Sequence, residues 1–235
     1  MRINKYIAES GFCSRRAADQ LILEGRVEIN GKTISEPGTK VNPDKDNIRI
    51  DGEVLKPQKK VYYVLNKPSG FITTTSDERD RRKVTDLVPQ NPRVFPVGRL
   101  DYDTTGVLVL TNDGDFANLL MHPSNKVPRE YEVRLDKPLQ KEHYEVLLTG
   151  VFIDKTPGRF VSVKFVGPEH KKVIVMSHEG RNHFVKRMFS KLGYRVKELH
   201  RLSYAGIKVT GMRKGDFRQL TRPEIDSINA KYNKK

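Results

Sequence analysis

The segment Val97–Leu120, VGRLDYDTTGVLVLTNDGDFANLL, decides how the chain reads. Val107–Leu110 is a short apolar run and reads as a strand, as does Val94–Val97 ahead of it. Between them lies a polar, glycine-containing loop from Gly98 to Gly106 that carries Arg99, Asp101 and Asp103. Loops held by strands are where catalytic groups usually sit. A loop aspartate more often bonds its own backbone as an Asx turn, and spacing alone favours that reading. Asp113 then caps a helix through Leu119 and Leu120, which stops before His122-Pro123.

Working outward, the pattern from residue 61 onward is many strands with a few helices. Residues 61–65, 71–75 (FITTT), 131–135, 160–165, 173–176, 196–203 and 207–209 read as strands. Residues 139–149 and the basic run 182–192 read as helices, and Thr221 with Glu224 spells a capping box for a last one. Several strand neighbours lie too close for helical crossovers. The pattern is therefore α+β, with a mixed, mostly antiparallel sheet flanked by helices.

Residues 1–56 read as a separate small α/β module, 57–60 as a polar linker that would let it swing, and 61–235 as the larger domain. Ser14 caps a helix whose buried face is Ala17, Ala18, Leu21 and Ile22. Asn30-Gly31 and Asp51-Gly52 are hairpin turn signals. Arg15 and Arg16 stand in the first helical turn, where the dipole disfavours cations, so a bound phosphate explains them better than stability does. The bland alternative is a solvated pair. The tail, 231–235, is expected to fray.

Composition narrows the partners. The 235 residues contain 44 Lys plus Arg against 29 Asp plus Glu, a net charge of +15, which points to a polyanion. Hydrophobic residues at 36% suffice for a core. Cys13 alone permits no intramolecular disulfide and no cysteine-based zinc site, and it fits a reducing, cytoplasmic setting. No apolar run has transmembrane length, so no membrane partner is expected. D-Y-D-T-T-G mimics the start of a calcium loop, but Asn112 stands where the twelfth-position Glu belongs, and His122, His178, His183 and His200 have no metal spacing. No metal is expected. Residues 177–218 hold 11 basic and 3 acidic residues, against 12 and 9 in residues 1–60. The positive excess therefore gathers late in the chain.

Two resemblances carry the reading further. SRRAADQLILEGRVEINGK resembles the small RNA-binding module first seen in a small-subunit ribosomal protein; this implies RNA contact by Arg15, Arg16 and the turn around Lys32. GRLD-x-x-T-T-G followed by TNDG resembles the Rsu/Rlu group of pseudouridine synthases, closest to its RluB-like branch. NKPSG (66–70), REYEV with Tyr131, and EGRNHFVKRMFSKLGYRVKELHR resemble three further motifs of that group, in the same order.

The resemblance implies isomerisation of a uridine in ribosomal RNA to pseudouridine, with no redox change and no cofactor, by a cytoplasmic monomer. It makes Asp101 the nucleophile, Tyr131 the residue that stacks on the uracil and assists proton transfer, and Lys186 the cation that keeps Asp101 ionised. Arg99 would fill the gap left by the flipped base; Arg181, Asn182 and Arg187 would hold RNA. Asp103 reads as loop structure. Arg187 lies about 100° from Lys186 around a helix, so the two cannot face Asp101 equally. HFVKR departs from relatives that carry Arg or Gln near His183 and Phe184. Large-subunit rRNA is the expected target. Small-subunit rRNA, tRNA and a non-catalytic RNA-binding or ribosome-assembly role stay as alternatives, and a metal-dependent nuclease fails on ligand spacing.

Overall fold

Ile3, Tyr6, Ile7, Ala18 and Ile22 close over Val27, Ile48 and Ile50 to make the first of two cores. The computed structural model describes residues 1–75, 77 and 79–233 and divides into two units. One comprises residues 1–61 with 91–93 and 112–114; the other takes 62–90, 94–111 and 115–235.

In the first unit, helices α1 (Ile3–Glu9) and α2 (Arg15–Leu23) pack with a sheet of β1 (Val27–Ile29), β2 (Lys32–Ile34), β3 (Ile48–Ile50) and β4 (Glu53–Val54), ordered β2-β1-β3-β4. Ser14 Oγ accepts from Ala17 N at 3.2 Å, the cap its position predicts. Asn30-Gly31 and Asp51-Gly52 both turn with positive φ at both residues, which joins β1 to β2 and β3 to β4. The segment expected as a linker is tied to this unit, where Gln58 N donates to Glu9 O at 2.9 Å.

The second unit is a nine-stranded mixed sheet and a separate two-stranded hairpin, residues 151–158, with helices. Its elements are β5 (Tyr62–Lys67), β6 (Phe95–Pro96), β7 (Thr105–Thr111), α3 (Gly114–Met121), β8 (Arg129–Leu135), α4 (Lys141–Thr149), β9 (Val151–Ile153), β10 (Thr156–Gly158), β11 (Ser162–Val166), β12 (Lys172–Ser177), α5 (Phe184–Lys191), β13 (Val196–Tyr204), β14 (Ile207–Lys208), β15 (Phe217–Gln219) and α6 (Arg222–Tyr232). The sheet runs β11-β12-β8-β13-β7-β5-β15, with β14 on β13 and β6 on β7. All pairs are antiparallel except β13 with β7. β7 is buried along its whole length, which is why its sequence is a continuous apolar run rather than an alternation. Val107 and Val109 pack with Phe116 and Leu120 of α3 and with Ile225 and Ile228 of α6.

Several expectations change. FITTT is not a strand: Ile72 forms a single bridge with Lys83, and the Thr73 hydroxyl donates to Leu100 O at 2.7 Å. Its hydroxyl holds the 98–106 loop instead of joining a ladder. The basic helix begins at Phe184, because His183 takes a left-handed conformation, φ 51°, at its N-cap. The β9–β10 hairpin and β15 went unread; Pro157 disguises the former, and the latter is three residues long. The last helix starts with the predicted box: Thr221 Oγ1 accepts from Glu224 N, and Glu224 returns to Thr221 N. Arg218 grips the same carboxylate, which with the Thr221 bonds holds it down to about 2. α6 extends to Tyr232, and residues 234 and 235 of the expected frayed tail lie outside the described residues.

One glycine governs the sheet. Gly106 has φ 105°, and a Cβ there would meet the backbone N of Arg201 at 2.7 Å and stand closer still to its carbonyl oxygen. Only glycine lets β13 lie parallel beside β7. Gly106→Ala is expected to lower the unfolding free energy by about 4 kcal/mol or more, in the range of exceptional core defects. Gly98→Ala, at φ 76° with open space around it, is expected to lose only about 1 kcal/mol. Urea unfolding of both variants checks the contrast.

Candidate active site

The end of β5 enters the sheet's interior as a lysine. Lys67 is 0% exposed. Its ammonium donates to the carbonyls of Pro68 (3.0 Å), Asp101 (3.1 Å), Tyr102 (3.3 Å) and Thr104 (2.9 Å). An ammonium has three protons, so four carbonyls share them. The loop from 98 to 106 thereby wraps its carbonyls around one buried cation. Gly70 N adds a bond to Tyr102 O, and Thr104 N one to Asp101 O. Burial pulls the Lys67 ammonium down to about 8, against the opposing charges of Asp103 and Asp101.

With its backbone drawn inward, the loop presents the Asp101 carboxylate to a cleft of about 440 Å³. Asp101, Arg99, Tyr131, Asn182, Leu199 and Arg201 are among its lining residues. Asp101 Oδ2 lies 3.2 Å from Lys186 Nζ, and Oδ1 lies 3.3 Å from His183 Nε2. Helix α5 carries the first of these neighbours, and the left-handed turn at its N-cap the second. Tyr131, 8% exposed, comes from β8, where it pairs with Arg201 of β13. The structure thus brings Asp101, Tyr131, Lys186 and Arg99 to one unit and one region, with Arg99 exposed on the lining. Among the described residues, no three His, Cys, Asp or Glu side chains converge on a metal-sized site.

Asp103 is more than loop structure. It accepts from Lys186 Nζ at 2.6 Å, closer than Asp101 does. Burial opposes its charge, but Lys186 outweighs that and holds the Asp103 carboxyl below the ordinary value. The two aspartates in turn hold Lys186 above its ordinary value against burial. Lys186 is therefore a bridge between two carboxylates rather than the private partner of one.

The basic stretch 177–218 also divides. Arg181, expected at RNA, pairs with Glu179 at 2.5 Å, donates to the carbonyls of Ile153, Thr156 and Pro157, and lies over the Phe184 ring. It pins the β9–β10 hairpin. Arg187, also expected at RNA, is paired with Asp154 of the same hairpin, on a different side of α5 from Lys186, as the helical angle requires. Arg201 is buried, and Arg213 and Arg218 bind Asp216 and Glu224. Lys191, Arg195, Lys197, Lys208 and Lys214 remain exposed. In the first unit, Arg15, Arg16 and Lys32 are exposed, the arginines on α2 and Lys32 at the start of β2.

Sequence reasoning missed Lys67 as a structural cation, although a lysine closing an otherwise apolar strand is a usable signal. It also missed Arg201 and Arg129. These lie 4.8 and 5.0 Å from the centre of the Tyr204 ring, and all three line the cleft.

Residues 61–191 match the RNA pseudouridylate synthase family, and residues 1–48 match the S4 domain. The chain is 39% identical over 234 residues to the ribosomal large subunit pseudouridine synthase B of Bacillus subtilis, covering 97% of this chain and 96% of that protein. It is 38% identical over 229 residues to the dual-specificity RNA pseudouridine synthase RluF of Escherichia coli, covering 96% and 77%. A crystal structure of a pseudouridylate synthase aligns with a TM-score of 0.71 at 28% identity, covering 97% of this chain and 99% of that one.

The Lys67 cation leaves a pH signature. Between pH 8 and 10.5 the unfolded chain holds this proton more firmly than the folded one, so this group's contribution to stability rises with pH across that window. From pH 7 to 9.5, the unfolding free energy of the wild type should gain about 2 kcal/mol relative to Lys67→Met. Urea titrations at both pH values measure it. Parallel pH dependences would assign the titration to another group.

Proposed function

The chain belongs to the RNA pseudouridylate synthase family, and we propose that it converts a uridine of large-subunit ribosomal RNA to pseudouridine with Asp101 as the nucleophile. The observation that carries this reading is the Asp101 carboxylate in the cleft beside buried Tyr131, with Lys186 Nζ at 3.2 Å. The large-subunit target is supported by the likeness to the ribosomal large subunit pseudouridine synthase B of Bacillus subtilis.

The site's chemistry follows from its charges. The target uridine leaves its stack and enters the cleft, and Arg99, exposed on the lining, takes the space it vacates. Lys186 pairs with the Asp101 carboxylate and holds it aimed. The bond from ribose to the uracil nitrogen breaks as the sugar is captured by the carboxylate, which divides one hard substitution into two easier ones. The uracil turns on the Tyr131 ring, and its C5 carbon bonds to the sugar as the bond from sugar to carboxylate breaks and returns the electron pair to Asp101. Tyr131 assists as the C5 proton leaves and a proton is taken up at the released nitrogen. Atoms and electrons balance without an oxidant or reductant.

The protein works in the cytoplasm as a monomer. Arg15, Arg16 and Lys32 hold RNA phosphate through the module of residues 1–56, joined by residues 57–60 to the catalytic domain 61–235; Asn182 adds a contact at the cleft.

Asp101→Asn is expected to keep RNA affinity within about threefold and to abolish product. Pseudouridine mapping in rRNA from cells carrying only the wild type or only this variant reads the outcome. The missing signal should fall in large-subunit rRNA; a loss in small-subunit rRNA or tRNA would move the target, and an intact signal would remove Asp101 from the nucleophile's role. Arg15→Ala with Arg16→Ala is expected to flatten the salt dependence of RNA binding by about 1.5 in log–log slope, at roughly 0.7–0.9 per phosphate contact. An unchanged slope in a filter-binding titration would detach these arginines from phosphate.

A further inference from the structure

The cleft contains hydrogen-bond capacity that the protein itself leaves unfilled. Arg201 is 2% exposed and lines the cleft, yet its Nη2 has no hydrogen-bond partner among the described residues. Thr104 Oγ1, also in the lining and 1% exposed, is likewise unpartnered. A buried guanidinium nitrogen without an acceptor is costly, so such groups usually mark a function.

The position of Arg201 is rigid. Its Nε donates to Val107 O at 2.7 Å, its guanidinium stacks on Tyr204 at 4.8 Å, and its backbone abuts Gly106. Across the β8–β13 pair it stands opposite Tyr131. The free nitrogen is thus held on the same strands as the ring proposed to carry the base.

The geometry points to a catalytic role: we propose that Arg201 Nη2 donates to a carbonyl oxygen of the flipped uracil and stabilises the base as it leaves the ribose. This rests on the isomerase reading above. When the ribose–nitrogen bond breaks, its electron pair stays with the base, and the charge spreads from the ring nitrogen onto the carbonyl oxygens. Arg201 keeps its proton throughout and supplies only a charged hydrogen bond. Fixed donors aimed at developing charge in a water-poor site are among the strongest catalytic devices. A backbone phosphate fits less well: Val107 closes the Nε edge that would serve a two-point phosphate grip, and exposed Arg99 offers a grip nearer the solvent.

The test compares two substrates. Arg201→Lys is mixed in excess with target RNA carrying uridine or 5-fluorouridine, and single-turnover scission of the ribose–nitrogen bond is followed after nuclease digestion. Fluorine makes the departing base less basic, so it needs less help. The variant is expected to slow scission about 100-fold on uridine and only about tenfold on 5-fluorouridine. A purely structural role would slow both equally, and equal losses or no loss would overturn the proposal.

Because Arg201 is buried, a second measurement uses the wild type alone, with ¹⁵N-arginine spectra recorded on RNA bearing 5-fluorouridine or a base-free ribose at the target. The Arg201 side-chain resonance should move only when the base is present. Identical spectra would overturn the proposal. A wild type that makes no pseudouridine in any RNA would instead overturn the isomerase reading on which it rests.

Discussion

A single buried ammonium organises the catalytic loop. Lys67 gathers the carbonyls of Pro68, Asp101, Tyr102 and Thr104, which satisfy that cation at zero exposure. The consequence runs outward. With the peptide oxygens turned toward Lys67, the side chain of Asp101 is left to the cleft, where Lys186 and His183 meet it. The loop is therefore shaped from its backbone, which leaves its carboxylates available for chemistry.

The second constraint is the approach of β13 to β7. Their parallel pairing brings His200 and Arg201 beside the end of the 98–106 loop, and Gly106 makes the approach possible. Tyr131 arrives from β8 on the other side of β13. Three segments far apart in sequence thus deliver Asp101, Tyr131 and buried Arg201 to one cleft. Charge is arranged around it with some economy. Lys186 serves Asp101 and Asp103 together, and both carboxylates lower the cost of the buried Lys67.

The positive excess of residues 177–218 changes meaning in this light. Read as sequence, it is a late cluster of charge in which Arg181 and Arg187 are expected to hold RNA. In the fold, Arg181 and Arg187 fasten the β9–β10 hairpin, Arg201 is buried, and Arg218 anchors α6 through Glu224. A linear count of charges cannot distinguish a cation that faces solvent from one that cross-links two elements.

Local chemistry was legible in the chain by itself. Asn30-Gly31 and Asp51-Gly52 spelled their turns because few other pairs accept left-handed backbone. Ser14 and the Thr221–Glu224 pair spelled their helix starts, and Val107–Leu110 spelled a buried strand. The motifs around Asp101, Tyr131 and Lys186 named the chemistry. Tertiary structure alone decided that Lys67 is a structural cation, that Asp103 shares Lys186, that FITTT lends a hydroxyl rather than a strand, and that Arg201 Nη2 has no partner among the described residues. Those outcomes depend on desolvation and on backbones meeting across long sequence separations, and neither leaves a local spacing to read.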